Sequence, residues 1–185
     1  MTTTINRNGI NIDQLMQTIE AIRQDPELAR FQFRAHSEWQ GGARSATRIQ
    51  GFYGAGQEDS SRSRPFEVGG DEPPLLLGTD TAPNAVETVL AALASCLTVG
   101  YVYNAAAQGV KIESLDFDLE GDADLRGFLG LSETVRPGFG GIRLTYRVKA
   151  DAPREKLEEL CEYVQRTSPV LDIIRNPVPV SIELR

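Results

Sequence analysis

Two thiols, one imidazole and a group of guanidinium side chains are the functional groups in this sequence best suited to chemistry. Cys96 and Cys161 are too few for a disulfide framework, and their wide separation lacks the close spacing of a structural zinc site. A thiol attacks as its thiolate, so a reactive cysteine needs a nearby cation or helix N-terminus and an opening for its substrate. Arg44, Arg48, Arg62 and Arg64 are cations close enough together in the sequence to be candidates, and the residues alone do not choose between them. The single histidine, His36, lies in a strand-like run and reads as a surface residue rather than as the base of a Ser-His-Asp or Cys-His arrangement. Thiol chemistry of this kind requires no metal and no organic cofactor.

The chain that must position these groups has 185 residues, 41% of them hydrophobic, which predicts one domain with a real apolar core. A formal charge of -7 argues against a nucleic-acid partner, because phosphate binding needs clustered Lys and Arg. Met1 to Gly9 carries no basic-then-apolar run, so neither a signal nor a transit peptide is expected. The most apolar stretch, Val86 to Ala107, is interrupted by Glu87, Thr88, Ser95, Thr98 and Asn104, a pattern that suits a buried helix better than a membrane span. The expected address is the cytoplasm.

Asn11 to Ala29 has a helical period at Ile12, Leu15, Ile19 and Ile22. From Phe31 the period becomes two, and the Gly41-Gly42 pair predicts a β-hairpin running to Phe52 and Tyr53. Gly54 to Ser63 reads as a polar hinge or hairpin tip, Arg64 to Val68 as a third strand, and Gly69 to Pro83 as a connection. A long helix opens at Asn84, with Glu87 as its capping-box partner, carries the stripe Val86, Val89, Leu90, Leu93, Leu97 and Tyr101, and stops at Gly109. Val110 to Gly121 and Ile142 to Val148 alternate as strands around a long connection, Asp122 to Gly141. Pro153 starts a second helix, Ser168-Pro169 a short one through Ile174, and Val178 to Leu184 a last alternating strand. Hairpin connections favour antiparallel pairing, and the class is α+β.

AVETVLAALASCL, Ala85 to Leu97, resembles the helix that bears the reactive cysteine in the OsmC/Ohr superfamily, the osmotically inducible and organic hydroperoxide resistance proteins. DEPPLLLGTDTAPN before it resembles the connection into that helix. GVKIESLDFDLEGD and TSPVLDIIRNPVPVSIEL resemble the strand that follows and the closing helix and strand. The likeness covers roughly residues 31 to 185 as a single OsmC-like domain and leaves 1 to 30 as an N-terminal helical extension. It implies antiparallel sheets wrapped around two long central helices in an intertwined homodimer, and a thiol peroxidase that reduces organic hydroperoxides. In the family's pattern a peroxidatic cysteine on the first central helix becomes a sulfenic acid and is resolved by a second cysteine.

Cys96 matches the first cysteine, although flanking Leu93 and Leu97 alone would make it a core residue. WQGGARSAT is similar to the family's N-terminal hairpin with its glycine-flanked arginine, which gives Arg44 the role of stabilising the thiolate; a solvated surface arginine is the other reading. Glu87 matches the carboxylate that orients this arginine. On a straight helix it lies about 180° around from Cys96 and about 13 Å along, so it cannot touch the sulfur, and capping its own helix explains it as well. The resolving position is matched by Ser168, whose hydroxyl cannot form a disulfide and which suits a helix N-cap. Cys161 is a possible resolving residue if the two helices cross nearby; otherwise, inside the Leu157, Leu160, Val164 stripe, it is a small buried core residue.

The expected function is therefore reduction of organic hydroperoxides through Cys96, with an external thiol reductant and an apolar pocket lined by residues such as Phe66, Leu75, Leu76 and Leu77. The alternative is a small-molecule-binding protein of the same fold without turnover, a reading supported by Ser168 at the resolving position.

Overall fold

The computed structural model describes residues 5–185, which form two compact units: Asp13–Thr88, and residues 5–12 together with Val89–Arg185. Sheets and helices are both present, and the sheets are antiparallel throughout, so the class is α+β as the alternation predicted.

The unit Asp13–Thr88 carries most of helix α1, Ile12–Gln24, followed by a 3-10 turn at Pro26–Ala29 that Asp25 caps by accepting from the Glu27 N–H. No residue of α1 is buried. Six short strands follow where three were expected: β3 (Gln32–Phe33), β4 (His36–Trp39), β5 (Ser45–Ile49), β6 (Phe52–Gly54), β7 (Gln57–Asp59) and β8 (Phe66–Gly70). They pair as β3-β6-β7 and β4-β5-β8. Gly41 and Gly42 take φ of 91° and 61° and turn the β4–β5 hairpin as predicted, while Ala55 and Gly56, at 49° and 80°, make a second tight turn. That second turn lets Gln57–Asp59 pair inside a segment whose polarity reads as loop.

The connection after β8 is organised by one carboxylate. Asp71 is 2% exposed and accepts from the Glu72 N–H and from the N–H and hydroxyl groups of both Thr79 and Thr81. These bonds, the Thr79 hydroxyl foremost and the Thr81 N–H next, hold its carboxyl far below the ordinary range. The knot presents Leu75 and Leu77 to solvent, Leu77 in the left-handed region at φ 65°.

Within the second unit the core gathers on the long helix α2, Ala85–Ala107, whose first turn belongs to the preceding unit. Leu93, Leu97, Tyr101 and Ala105 of α2 pack with Val110, and with Leu160 and Val164 of α4, Arg154–Thr167. The strands β9 (Ile112–Ala123) and β10 (Phe139–Ala150) form a long hairpin; β10 runs past its predicted range at both ends, while β9 both starts and stops two residues later than predicted. Its register sets Leu119, Phe117 and Leu115 opposite Leu144, Tyr146 and Val148, and this alternating face lies on the core. The connection at the hairpin tip holds one helical turn, α3, Leu125–Phe128, capped by Asp124. A short helix, α5, Pro169–Arg175, follows α4.

Two features of this unit differ from expectation. Residues 5–11 are not helical: β1 (Asn6–Arg7) and β2 (Ile10–Asn11) form a hairpin on an Asn8-Gly9 turn with φ of 52° and 79°. The Asn8 side chain donates to the Val110 carbonyl and accepts from the Ile112 N–H, so it pins the hairpin to the start of β9. At the other end, the strand expected over Val178 to Leu184 is not formed: residues 177–185 have no ladder partner among the described residues. A strand exists only through its neighbours. Pro177 and Pro179 also remove two donors, and Val180, Ile182 and Leu184 stand 76–98% exposed.

Candidate functional site

Cys96 lies four positions before Gly100 on α2, on a surface where small residues let α4 approach closely. A Cβ at Gly100 would lie 3.1 Å from Val164 Cγ1, which measures how tightly the two helices meet. Leu93 and Leu97 turn into the core, and Cys96 between them is half-buried. The thiol therefore sits at the margin of the core rather than inside it.

At the C-terminal end of α4, Ser168 caps α5: its Oγ accepts from the Leu171 N–H at 3.3 Å. The same hydroxyl lies 3.1 Å from Cys96 Sγ, and Ser168 is 5% exposed. Position 168 thus serves both as the helix cap foreseen from Ser-Pro and as the immediate neighbour of the sulfur.

Beside this pair opens a cavity of about 510 Å3. Ala92, Val99, Gly100, Val164, Pro169 and Val170 give it apolar walls, and its polar groups are Cys96 with the hydroxyls of Ser95, Thr167 and Ser168. Sequence reasoning named Cys96 and Ser168 but not these walls. Their signal was present in the small residues Ala92 and Gly100, each about one turn from Cys96, and in Ser95 beside it. An apolar wall with a few directed polar groups suits a small organic molecule.

Cys161 has different company. Its sulfur accepts from Gln165 Nε2 at 3.3 Å and lies near the Tyr146 hydroxyl. Burial first, and then the neighbouring Cys161, pushes the Tyr146 phenol well above its usual value; burial and the same cysteine push Tyr101 up to about 12. Both cysteines are free thiols.

Glu87 makes the predicted capping box: its N–H donates to Asn84 Oδ1 and its Oε2 accepts from the Asn84 N–H, both at 2.8 Å. Arg44 is exposed and folds back on its own hairpin, donating to the Gln40 carbonyl at 3.2 Å. Among the described residues it has no carboxylate partner, whereas Arg48 pairs with Glu38 and Glu67, and Arg62 lies 5.1 Å from the ring centres of both Phe52 and Phe66. Phe66, Leu75 and Leu77, expected in a pocket, are exposed side chains of the unit Asp13–Thr88. Arg44 and most of the expected pocket residues thus lie in one unit, and the Cys96 cavity in the other.

Three comparisons bear on this arrangement. The family model described as OsmC-like protein matches residues 78–183, more than half of the chain. Among curated proteins, no sequence matches. Solved structures resemble it at low identity. An OsmC-like protein from Mycoplasma pneumoniae has a TM-score of 0.57 at 15% identity, with 79% of this chain and 89% of that one covered. An OsmC organic hydroperoxide resistance protein from Legionella pneumophila, described as a predicted redox protein, has a TM-score of 0.54 at 17% identity, with 78% and 90% covered. An OsmC-like protein of unknown function from Vibrio cholerae has a TM-score of 0.56 at 14% identity, with 76% and 92% covered. The matched span contains Glu87, Cys96, Cys161 and Ser168, and this chain belongs to the OsmC-like protein family.

Proposed function

We propose that this protein is a thiol-dependent peroxidase that reduces organic hydroperoxides through Cys96. The observation that carries the reading is a half-buried thiol, hydrogen-bonded to a buried hydroxyl, at the edge of an apolar cavity. The Cys96 thiolate attacks the terminal peroxide oxygen, the O–O bond breaks, and the alcohol departs with a proton, leaving a sulfenic acid. Apolar walls favour an alkyl or aryl peroxide over a hydrated inorganic one. An external thiol returns the sulfur to its starting state. Likeness to the family gives Arg44 the task of steadying the thiolate and Glu87 that of orienting Arg44. In support, Arg44 has no carboxylate partner among the described residues, and one Glu87 oxygen is free of the cap bond.

The working form in this reading is a homodimer. Val89, Val99 and Tyr103 on α2 and the alternating Val178, Val180, Ile182 and Leu184 are exposed apolar side chains that a second copy would cover. Free thiols fit a cytoplasmic address. A binding protein without turnover is the second reading, favoured by the hydroxyl of Ser168 where the family pattern has a thiol. The test is consumption of tert-butyl hydroperoxide with a dithiol reductant: multiple turnovers that disappear in Cys96→Ser support the peroxidase, and no turnover in the parent protein overturns it.

A further inference from the structure

We infer that Ser168 makes the second half of the Cys96 cycle a one-thiol reaction, in which the oxidised sulfur remains a sulfenic acid held by the Ser168 hydroxyl until a small external thiol enters the cavity and joins it in a mixed disulfide. The inference rests on the peroxidase reading for the oxidation step. It goes further in naming the residue that decides the outcome and the class of reductant.

The position of the Ser168 hydroxyl carries the argument. Ser168 Oγ accepts from the Leu171 N–H and lies 3.1 Å from Cys96 Sγ; either atom can donate while the sulfur is a thiol, but a thiolate only accepts, so beside the ionised sulfur the Ser168 hydroxyl is the donor. Ser168 is 5% exposed and held by the turn between α4 and α5, so it keeps this position when the sulfur changes oxidation state. Cys161 is seven residues earlier on α4, about 10 Å along the axis, and accepts from Gln165 near Tyr146. No second sulfur therefore stands beside Cys96 among the described residues.

The space beside the sulfur is instead a cavity of about 510 Å3 whose lining carries no charged side chain. A small thiol can reach the sulfenic sulfur there. The steps balance. The sulfenic acid and one R–SH give the Cys96 mixed disulfide and water. A second R–SH attacks the R sulfur, giving R–S–S–R and the Cys96 thiol. Two thiols supply the two electrons that the peroxide removed. Placing sulfur at position 168 would bring a partner to within about an ångström of the ~2.05 Å S–S bond length and divert the sulfenic acid into an internal disulfide.

The experiment oxidises the full chain with one equivalent of tert-butyl hydroperoxide and, separately, of hydrogen peroxide. Dimedone or 2-mercaptoethanol is then added, and the products are mapped by mass spectrometry. We expect dimedone and 2-mercaptoethanol adducts on Cys96 in the parent protein. In S168C both should fall at least tenfold, replaced by a disulfide joining positions 96 and 168. With a second equivalent of peroxide, which the step from sulfenic to sulfinic acid consumes, the sulfinic fraction should rise several-fold in S168A, and S168T, which retains the hydroxyl, should restore the parent level. A disulfide between Cys96 and Cys161 in the parent protein, or S168A behaving as the parent does, overturns the inference. If only hydrogen peroxide oxidises Cys96, the organic-peroxide reading falls, while the products of that sample still decide the role of Ser168.

Discussion

Gly100→Ala tests the close approach of α2 and α4 on which the Cys96 cavity depends. In an exposed helix interior this change stabilises a protein by about 1 kcal/mol, because alanine has the higher helix propensity. Here the added methyl would meet Val164 Cγ1 at 3.1 Å and Cγ2 at 4.0 Å, against an optimal carbon–carbon separation of about 3.5–4.0 Å. Val164 cannot easily move aside: it is 3% exposed, it is β-branched, and Leu160 of the same helix is 1% exposed. Overpacking of this kind costs about 1–3 kcal/mol, which outweighs the propensity gain and leaves a net loss of about 1 kcal/mol. Val164→Ala alone should cost roughly 2 kcal/mol, and combining the two should lose about 1 kcal/mol less than their sum. Urea unfolding at fixed protein concentration measures all three variants, the midpoint moving while the slope stays constant. Gly100 and Val164 also wall the cavity, so Gly100→Ala should slow a bulky aryl peroxide more than hydrogen peroxide. A variant about 1 kcal/mol more stable than the parent, with no coupling to Val164, would show that the helices are not pressed together at this point.

Two further expectations concern the elements around the site. Asp71→Asn should expose residues 71–83 to limited proteolysis several-fold faster at neutral pH, since an amide cannot accept all the Thr79, Thr81 and Glu72 bonds. The Asp71 carboxyl is depressed, so its contribution is present above the ordinary unfolded value of about 4 and is lost only as the pH falls through its lower folded value; loosening of the parent loop at pH 5 to 6 would contradict the assignment. Asn8→Ala removes two bonds to β9 and the residue type best suited to φ 52°, and should weaken the hairpin's hold by about 1–2 kcal/mol. Hydrogen exchange at the Ile112 amide reads this directly, and unchanged protection would mean that the hairpin does not depend on Asn8.

What was legible in the sequence follows from the range of the forces involved. The capping box at Asn84 and Glu87, the Gly41-Gly42 turn and the Ser168 cap are local, each decided by residues within three or four positions, and each stands where the spacing put it. The paired strands β9 and β10 were visible because one face must be apolar along their whole length. The Asn8 anchor was hidden because its partners lie more than a hundred residues away, and the Asp71 knot because no period marks scattered threonines as ligands of one carboxylate. Val178 to Leu184 shows the opposite failure. Its alternation is real, but a pattern of side chains does not supply a neighbouring strand.

The contact between Cys96 and Ser168 bears on the sequence resemblance that sets Ser168 at the family's second cysteine. Position 168 has two demands on it: an acceptor for the Leu171 N–H at the start of α5, and a group that can engage the sulfur of Cys96. Serine meets the first better than cysteine does, because a hydroxyl accepts a strong hydrogen bond and a thiol a weak one; the difference favours the cap that fixes the turn from α4 into α5. Cysteine meets the second by forming a covalent bond, which turns the thiol at Cys96 into one half of a closed redox couple. With serine the turn is held more firmly and, in the proposed peroxidase reading, the couple is open, so the cavity beside Cys96 would have to admit the reductant as well as the peroxide. The walls shared by both steps then restrict the two reactants alike, and a bulky thiol should form the mixed disulfide with the oxidised protein more slowly than a small thiol of equal charge.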